Sequence, residues 1–153
     1  MKSRHLLSLV TGLLLLGACK EKSSRTEPGP SENNIDAARN FVRAALDGRF
    51  KDARDYMLPD SLNMNYMDVA ERAYNNADKS VRDGYRNASI RIYSPVNEIN
   101  DSTSIIVYAN SFKNDPDTLR VVRNSGRWLV DLKYLYEHDR DTLLNKPLKD
   151  NLP

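Results

Sequence analysis

Thr118 to Leu132 reads T-L-R-V-V-R-N-S-G-R-W-L-V-D-L. Two β-type runs flank Asn124-Ser125-Gly126, a three-residue loop in which Gly126 can take the left-handed backbone that closes a hairpin with a bulge. Leu119 and Val121 on one run, and Trp128, Val130 and Leu132 on the other, recur at period two, which puts each set on one face of a pleated ribbon. That face is the expected core, and the hairpin is the end of a sheet.

Upstream lie two more strand-like runs. Ser104 to Ser111 carries Ile105, Ile106, Val107, Tyr108 and Ala109, apolar on both faces. Ala88 to Ile99 carries Ile90, Ile92, Val96 and Ile99, and its Pro95 implies an edge position or a bulge. Asn114-Asp115-Pro116-Asp117 has a turn composition that returns the chain to the hairpin. The result is an antiparallel meander of about four strands. Its second face is expected to hold Ile106, Tyr108, Val122 and Leu129, too apolar to be simply wet, so either the tail or a second copy of the chain in a homodimer should cover it.

Ahead of the strands, the apolar residues Ile35, Ala38, Phe41, Val42, Ala45 and Leu46 follow the three-and-four spacing of a helix, capped by Asn34 or Ser31 and ended by Gly48. Phe50, Ala53, Tyr56 and Met57 predict a second, stopped by Pro59. Met64, Met67, Ala70 and Tyr74 predict a third, and Val81 with Tyr85 a turn or two more. Helices first and strands after is the order of an α+β domain, with helices laid on one face of a sheet.

The first 18 residues read as a leader: Lys2, Arg4 and His5, then an apolar run from Leu6 to Leu16 too short to span a bilayer, then Leu16-Gly17-Ala18-Cys19. This arrangement resembles the bacterial lipoprotein signal, in which the cysteine after cleavage carries the lipid. Cys19 is the only cysteine, which excludes a disulfide scaffold. The resemblance implies anchoring to a membrane through acyl chains, without a spanning helix. Lys20, in place of the aspartate that retains many such proteins in the inner membrane, implies the outer membrane. Residues 19–33 have the polar, Pro- and Gly-containing composition of a tether, residues 34–132 form the domain, and residues 133–153 a tail. Lys2 and Arg4 are the only formal charges before Cys19, so beyond the leader the basic residues balance the 21 acidic ones. A neutral chain lacks the electrostatic driving force for nucleic-acid binding.

Two segments together resemble a family. Ala38 to Ala53, A-R-N-F-V-R-A-A-L-D-G-R-F-K-D-A, and Leu119 to Asp131, L-R-V-V-R-N-S-G-R-W-L-V-D, are similar to the lumazine-binding-like domain of unknown function found in small bacterial lipoproteins. That family belongs to the nuclear-transport-factor-2-like superfamily. The resemblance covers residues 34–132 and implies helices packed in the concavity of a curved sheet, a cone. Enzymes of that superfamily, isomerases and dehydratases, place an Asp or His base inside the cone beside a Tyr donor, which gives a lyase or isomerase as the alternative to a binding module.

The chemistry-bearing residues are few. His5 belongs to the leader, and His138 lies in the polar tail, where a solvated histidine is expected. Asp131 alternates away from Trp128 and is expected to face solvent, and Asp115 and Asp117 belong to a turn rather than a calcium loop. No phosphate loop, zinc-spaced cluster or nucleophile elbow occurs, so no catalytic residue, metal ligand or cofactor is assigned. Tyr56, Tyr66, Tyr74 and Tyr85, with Trp128, are the candidate pocket residues, because phenols put a polar tip on an apolar wall; core packing is their other reading. Asp60-Ser61-Leu62, Asp101-Ser102-Thr103, Asp117-Thr118-Leu119 and Asp141-Thr142-Leu143 repeat Asp, Ser or Thr, then a methyl-bearing residue, where composition predicts roughly one. The pattern resembles a bacterial O-glycosylation sequon and makes Ser61, Ser102, Thr118 and Thr142 candidate modification sites; helix and strand starts use the same residues. The expected protein is an outer-membrane lipoprotein whose α+β domain binds a small molecule or an envelope protein, or serves as a structural subunit of an envelope assembly.

Overall fold

The computed structural model describes residues 29–94 and 96–135, so Cys19, His138, Thr142 and most of the tail lie outside the described residues. The chain is an α+β fold. Four helices, α1 (Asn34–Leu46), α2 (Phe50–Asp55), α3 (Ser61–Asn76) and α4 (Lys79–Asn87), precede five strands, β1 (Ile90–Ile92), β2 (Asn97–Asn100), β3 (Thr103–Asn110), β4 (Asp117–Asn124) and β5 (Arg127–Asp131). The sheet is antiparallel in the order β1-β3-β4-β5, with β2 also paired to β3. β1 and β2 thus form an interrupted edge lane: β1 pairs with one end of β3, β2 with the other, and the register shifts between Glu98 and Asn100.

The cap of α1 is Asn33, not Asn34 or Ser31: its side chain accepts the Asp36 N–H at 2.9 Å, and Asn34 instead donates to the Ser104 hydroxyl at 2.7 Å, tying the helix to β3. The other end closes with the Gly48 N–H on the Ala45 carbonyl and the Arg49 N–H on the Ala44 carbonyl, at 3.0 and 2.8 Å, the paired bonds of a Schellman ending. Between β4 and β5, Asn124 pairs with Arg127, so the loop is two residues rather than three. Ser125 and Gly126 both have positive φ, 49° and 80°, the primed turn whose twist matches that of the flanking strands.

Leu119, Val121, Val130 and Leu132 are buried in one cluster with Phe41, Val42 and Met57, and Trp128 packs half-buried against it. α1 lies across this face of the sheet. The register of β3 against β4 differs from expectation. Ile106 stands opposite Leu119 and Tyr108 opposite Asp117, which puts Ile106 and Tyr108 on the helix-facing side, where Ile106 is fully buried. Val122 and Leu129, cross-strand partners, lie on the opposite side with Ile105 and Val107. The four residues expected to share a contact face therefore do not share one. Apolar residues at consecutive positions 105–107 let either alternation fit the pattern, and pairing with β4 decides it.

Asp131 is a second correction. It does turn away from Trp128, but only 4% of it is exposed. Its carboxylate accepts from Arg120 on the neighbouring strand at 2.5 Å, from Asn63 of α3 at 3.3 Å and from the Lys133 N–H at 3.2 Å. Asn63, fully buried, accepts the Leu132 N–H at 2.7 Å and donates to Asp60 at 2.7 Å. Asp60 caps α3 and also receives the Lys133 ammonium at 2.7 Å. One polar knot thus joins the start of α3 to the end of β5. Beside it, the chain after β5 folds back as a short helical turn, with Tyr134 stacked under the Arg120 guanidinium at 5.5 Å. The β5 edge is closed as well, because Leu58 N–H donates to the Val130 carbonyl and Val130 N–H to the Tyr56 carbonyl, a parallel bridge made by the α2–α3 connection.

Replacing Asn63 by Ala leaves the Leu132 N–H and the Asp131 carboxylate short of partners, and we expect a loss of about 2 to 3 kcal/mol in urea unfolding. The Asn63 backbone N–H, followed by the Lys133 ammonium, holds the Asp60 carboxyl at a pKa of about 2, below its ordinary 3.8. A lowered folded-state pKa stabilises above the ordinary value and loses that contribution as pH falls through the folded one. Asp60→Asn, which keeps a cap acceptor, should therefore unfold at lower urea than the parent at pH 6 and converge with it as pH approaches 2.

Candidate functional site

A groove of about 350 Å³ opens to solvent among the helices. Ala45 and Leu46 at the end of α1 and Phe50 at the start of α2 form one side. The C-terminal half of α3 supplies Ala70, Ala73, Tyr74 and Ala77, spaced at three and four so that they share a face, and α4 supplies Val81 and Tyr85 one turn apart. Small alanine side chains leave a trough between the two helices, and the aromatic rings wall it. No Asp, Glu, His, Lys or Arg is among the described residues that line it.

The rings form a ladder. Phe50 meets Tyr74 edge-to-face with centroids 5.4 Å apart, Tyr74 lies 6.4 Å from Tyr85, and Tyr85 meets Phe112 of the β3–β4 loop edge-to-face at 5.1 Å. Two glycines make the ladder possible. Gly48 has a φ of 74°, and a Cβ there would lie 2.6 Å from the Tyr74 ring. Gly84, within α4, lets the Phe112 ring approach where a Cβ would stand 2.3 Å from it, which offsets the cost of glycine inside a helix. The Tyr74 hydroxyl donates to the Leu46 carbonyl at 3.4 Å.

α4 buries none of its residues and is held at its ends by arginines. Arg43 of α1, paired with Asp47 at 2.8 Å, donates to the carbonyls of Ala88, Tyr85 and Arg86 at 2.7, 3.2 and 3.2 Å, capping the C-terminus where the helix dipole is negative. Arg82 donates back to the carbonyls of Asn75 and Ala77 at 3.1 and 2.6 Å.

Of the expected pocket residues, Tyr74 and Tyr85 line the groove. Tyr56 instead flanks the β5 edge, where burial pushes its phenol pKa up, and neither Tyr66 nor Trp128 is among the residues lining the groove. The alanines of α3 were not anticipated, since small apolar residues at helical spacing read equally well as core; the run Ala70-x-x-Ala73-x-x-x-Ala77 beside Tyr74 was the available signal. A second, polar hollow of about 330 Å³ lies at the β3–β4 turn between Tyr108, Lys113, Asp117 and Leu135. There the Tyr108 hydroxyl donates to Asp117 at 3.4 Å, and Asp117 also accepts the Thr118 N–H, so this aspartate serves the turn as expected. Ser61 begins α3 and Ser102 sits in the β2–β3 turn, both exposed, whereas Thr118 is half-buried in β4. No described group of His, Cys, Asp and Glu is arranged to hold a metal, and no described helix is long and apolar enough to cross a membrane.

Set against known protein families, curated proteins and solved structures, the chain matches none of them.

Gly48→Ala forces a left-handed alanine against the Tyr74 ring and is expected to cost about 1 to 3 kcal/mol. Near-UV circular dichroism should show the aromatic ladder disturbed, while far-UV helicity stays intact.

Proposed function

We propose that this chain is a lipid-anchored envelope lipoprotein of the outer membrane, attached through Cys19, whose domain binds an apolar small molecule in the groove between α3 and α4 without catalysing a reaction on it. The groove carries this reading. It has the volume of an ordinary ligand site, its described lining is aliphatic and aromatic, and a left-handed Gly48 and a helix-interior Gly84 let four rings come into line beside it. An isomerase or lyase would need an acid or base directed at its substrate, and the described lining supplies alanine, leucine, valine, phenylalanine and two tyrosines instead. The L-G-A-C box supports the anchor. Ser61 and Ser102, exposed within Asp-Ser-Leu and Asp-Ser-Thr, are the proposed sugar attachment points.

Mass spectrometry of the full protein, extracted in mild detergent from its host, tests each part. Under denaturing conditions the mass should correspond to a chain starting at a lipidated Cys19, with hexose increments if the sequons are used; an unmodified cysteine would remove the anchor reading. Under native conditions an additional small mass should accompany the chain and disappear in Ala73→Trp, which fills the trough from an exposed position. A bare monomer in both proteins would remove the binding reading.

A further inference from the structure

We infer that the ligand of this groove is a single-chain anionic amphiphile, its acyl chain lying between α3 and α4 and its charged head at Arg82. The inference rests on the binding reading above and narrows it to a chemical class. The lining offers a buried ligand almost nothing to hydrogen-bond: the Tyr74 hydroxyl is already directed at the Leu46 carbonyl, and the other described lining side chains, Tyr85 apart, are hydrocarbon. A polar group taken into the trough would leave water without full replacement, so the part of the ligand that enters is hydrocarbon. The groove is open on one side, so a polar end is accommodated only at the rim.

The rim is positively charged. α4 and its N-cap carry Lys79, Arg82 and Arg86 against Asp78 and Asp83, and Lys79 and Arg86 both reach Asp83. Arg82 differs. Among the described residues no carboxylate lies within ion-pair distance of it, and its bonds to the Asn75 and Ala77 carbonyls hold the guanidinium beside groove-lining Ala77. On the facing helix, Asp68 and Glu71 both turn to Arg54, each at 2.6 Å, so the acids on that side are held on that guanidinium. A carboxylate or phosphate at this end would meet the free donors of Arg82 while its chain ran toward Tyr74 and Tyr85. The hydrocarbon would also complete the burial of Val81 and Tyr85, on a helix with no fully buried residue.

The test uses the full chain in nanodiscs of phosphatidylcholine, with two free photoactivatable probes, a diazirine-bearing lauric acid and the matching diazirine alcohol, and in a parallel sample a diazirine phosphatidylglycerol built into the bilayer. Lauric acid should label peptides containing Ala73 to Ala77 and Val81 to Tyr85, and hydrogen exchange in α4 should slow on its addition. Arg82→Gln should lower the ratio of acid to alcohol labelling by about threefold to fivefold, the range for a solvent-facing charge contact. Ala73→Trp should abolish labelling by both probes; if that variant unfolds by circular dichroism, Val81→Ser with its weakened labelling replaces it. Equal labelling by both probes, with the ratio unmoved by Arg82→Gln, would overturn the anionic class and leave groove binding standing. No groove labelling by either probe would overturn both readings. Labelling confined to a diazirine phosphatidylglycerol built into the bilayer would assign this face to the membrane and overturn the inference.

Discussion

The buried carboxylate of Asp131 is the constraint on which the arrangement of the helices depends. A charge removed from water needs partners, and here they come from the adjacent strand, from α3 and from the residues after β5. Because Asn63 serves Asp131, the Leu132 N–H and Asp60 at once, the first turn of α3 has one position relative to the sheet. The polar knot therefore fixes an element that is otherwise packed through few apolar residues: only Asn63 and Met67 of α3 are buried. The far half of the same helix, five to six Å of ring-to-ring separation from its neighbours, then becomes free to wall a groove rather than fill a core.

The sheet and the helices differ in what holds them. β3, β4 and β5 are joined by continuous ladders and share the main cluster with α1. α4 is attached by guanidinium-to-carbonyl bonds at its two ends and by the Tyr85–Phe112 contact. Hydrogen bonds of this kind contribute modestly and direct strongly, whereas apolar burial contributes in proportion to area. A helix secured by the first and nearly without the second is placed accurately yet retains apolar surface in contact with water. That surface is what the groove consists of.

Much of this was legible in the chain. Period two in residues 119–132 identified the core face of β4 and β5, and the spacing of Ile35 to Leu46 identified α1 and its glycine ending, because in both cases one face is buried and the other wet. β3 was legible as a strand but not in register: with Ile105, Ile106 and Val107 in succession, only the partner strand decides which of them meets the helices. The side of the sheet that Asp131 faces was legible too, but not its burial, since the partner that covers it, Asn63, stands 68 residues away. Of the five aromatic residues expected at a pocket, Tyr74 and Tyr85 line the groove, and a polar tip alone does not separate them from Tyr56 and Tyr66. The same residue type also suits a strand edge, where Tyr56 lies.

Neither margin of the described sheet presents a long unbroken strand. On one side the edge lane is split into β1 and β2 with a shifted register, and on the other the backbone of Tyr56 to Leu58 occupies β5. Where copies of a chain meet at high local density, an uninterrupted strand margin is a template for fibril growth. The described margins of this sheet are interrupted, so such encounters find no long strand to extend.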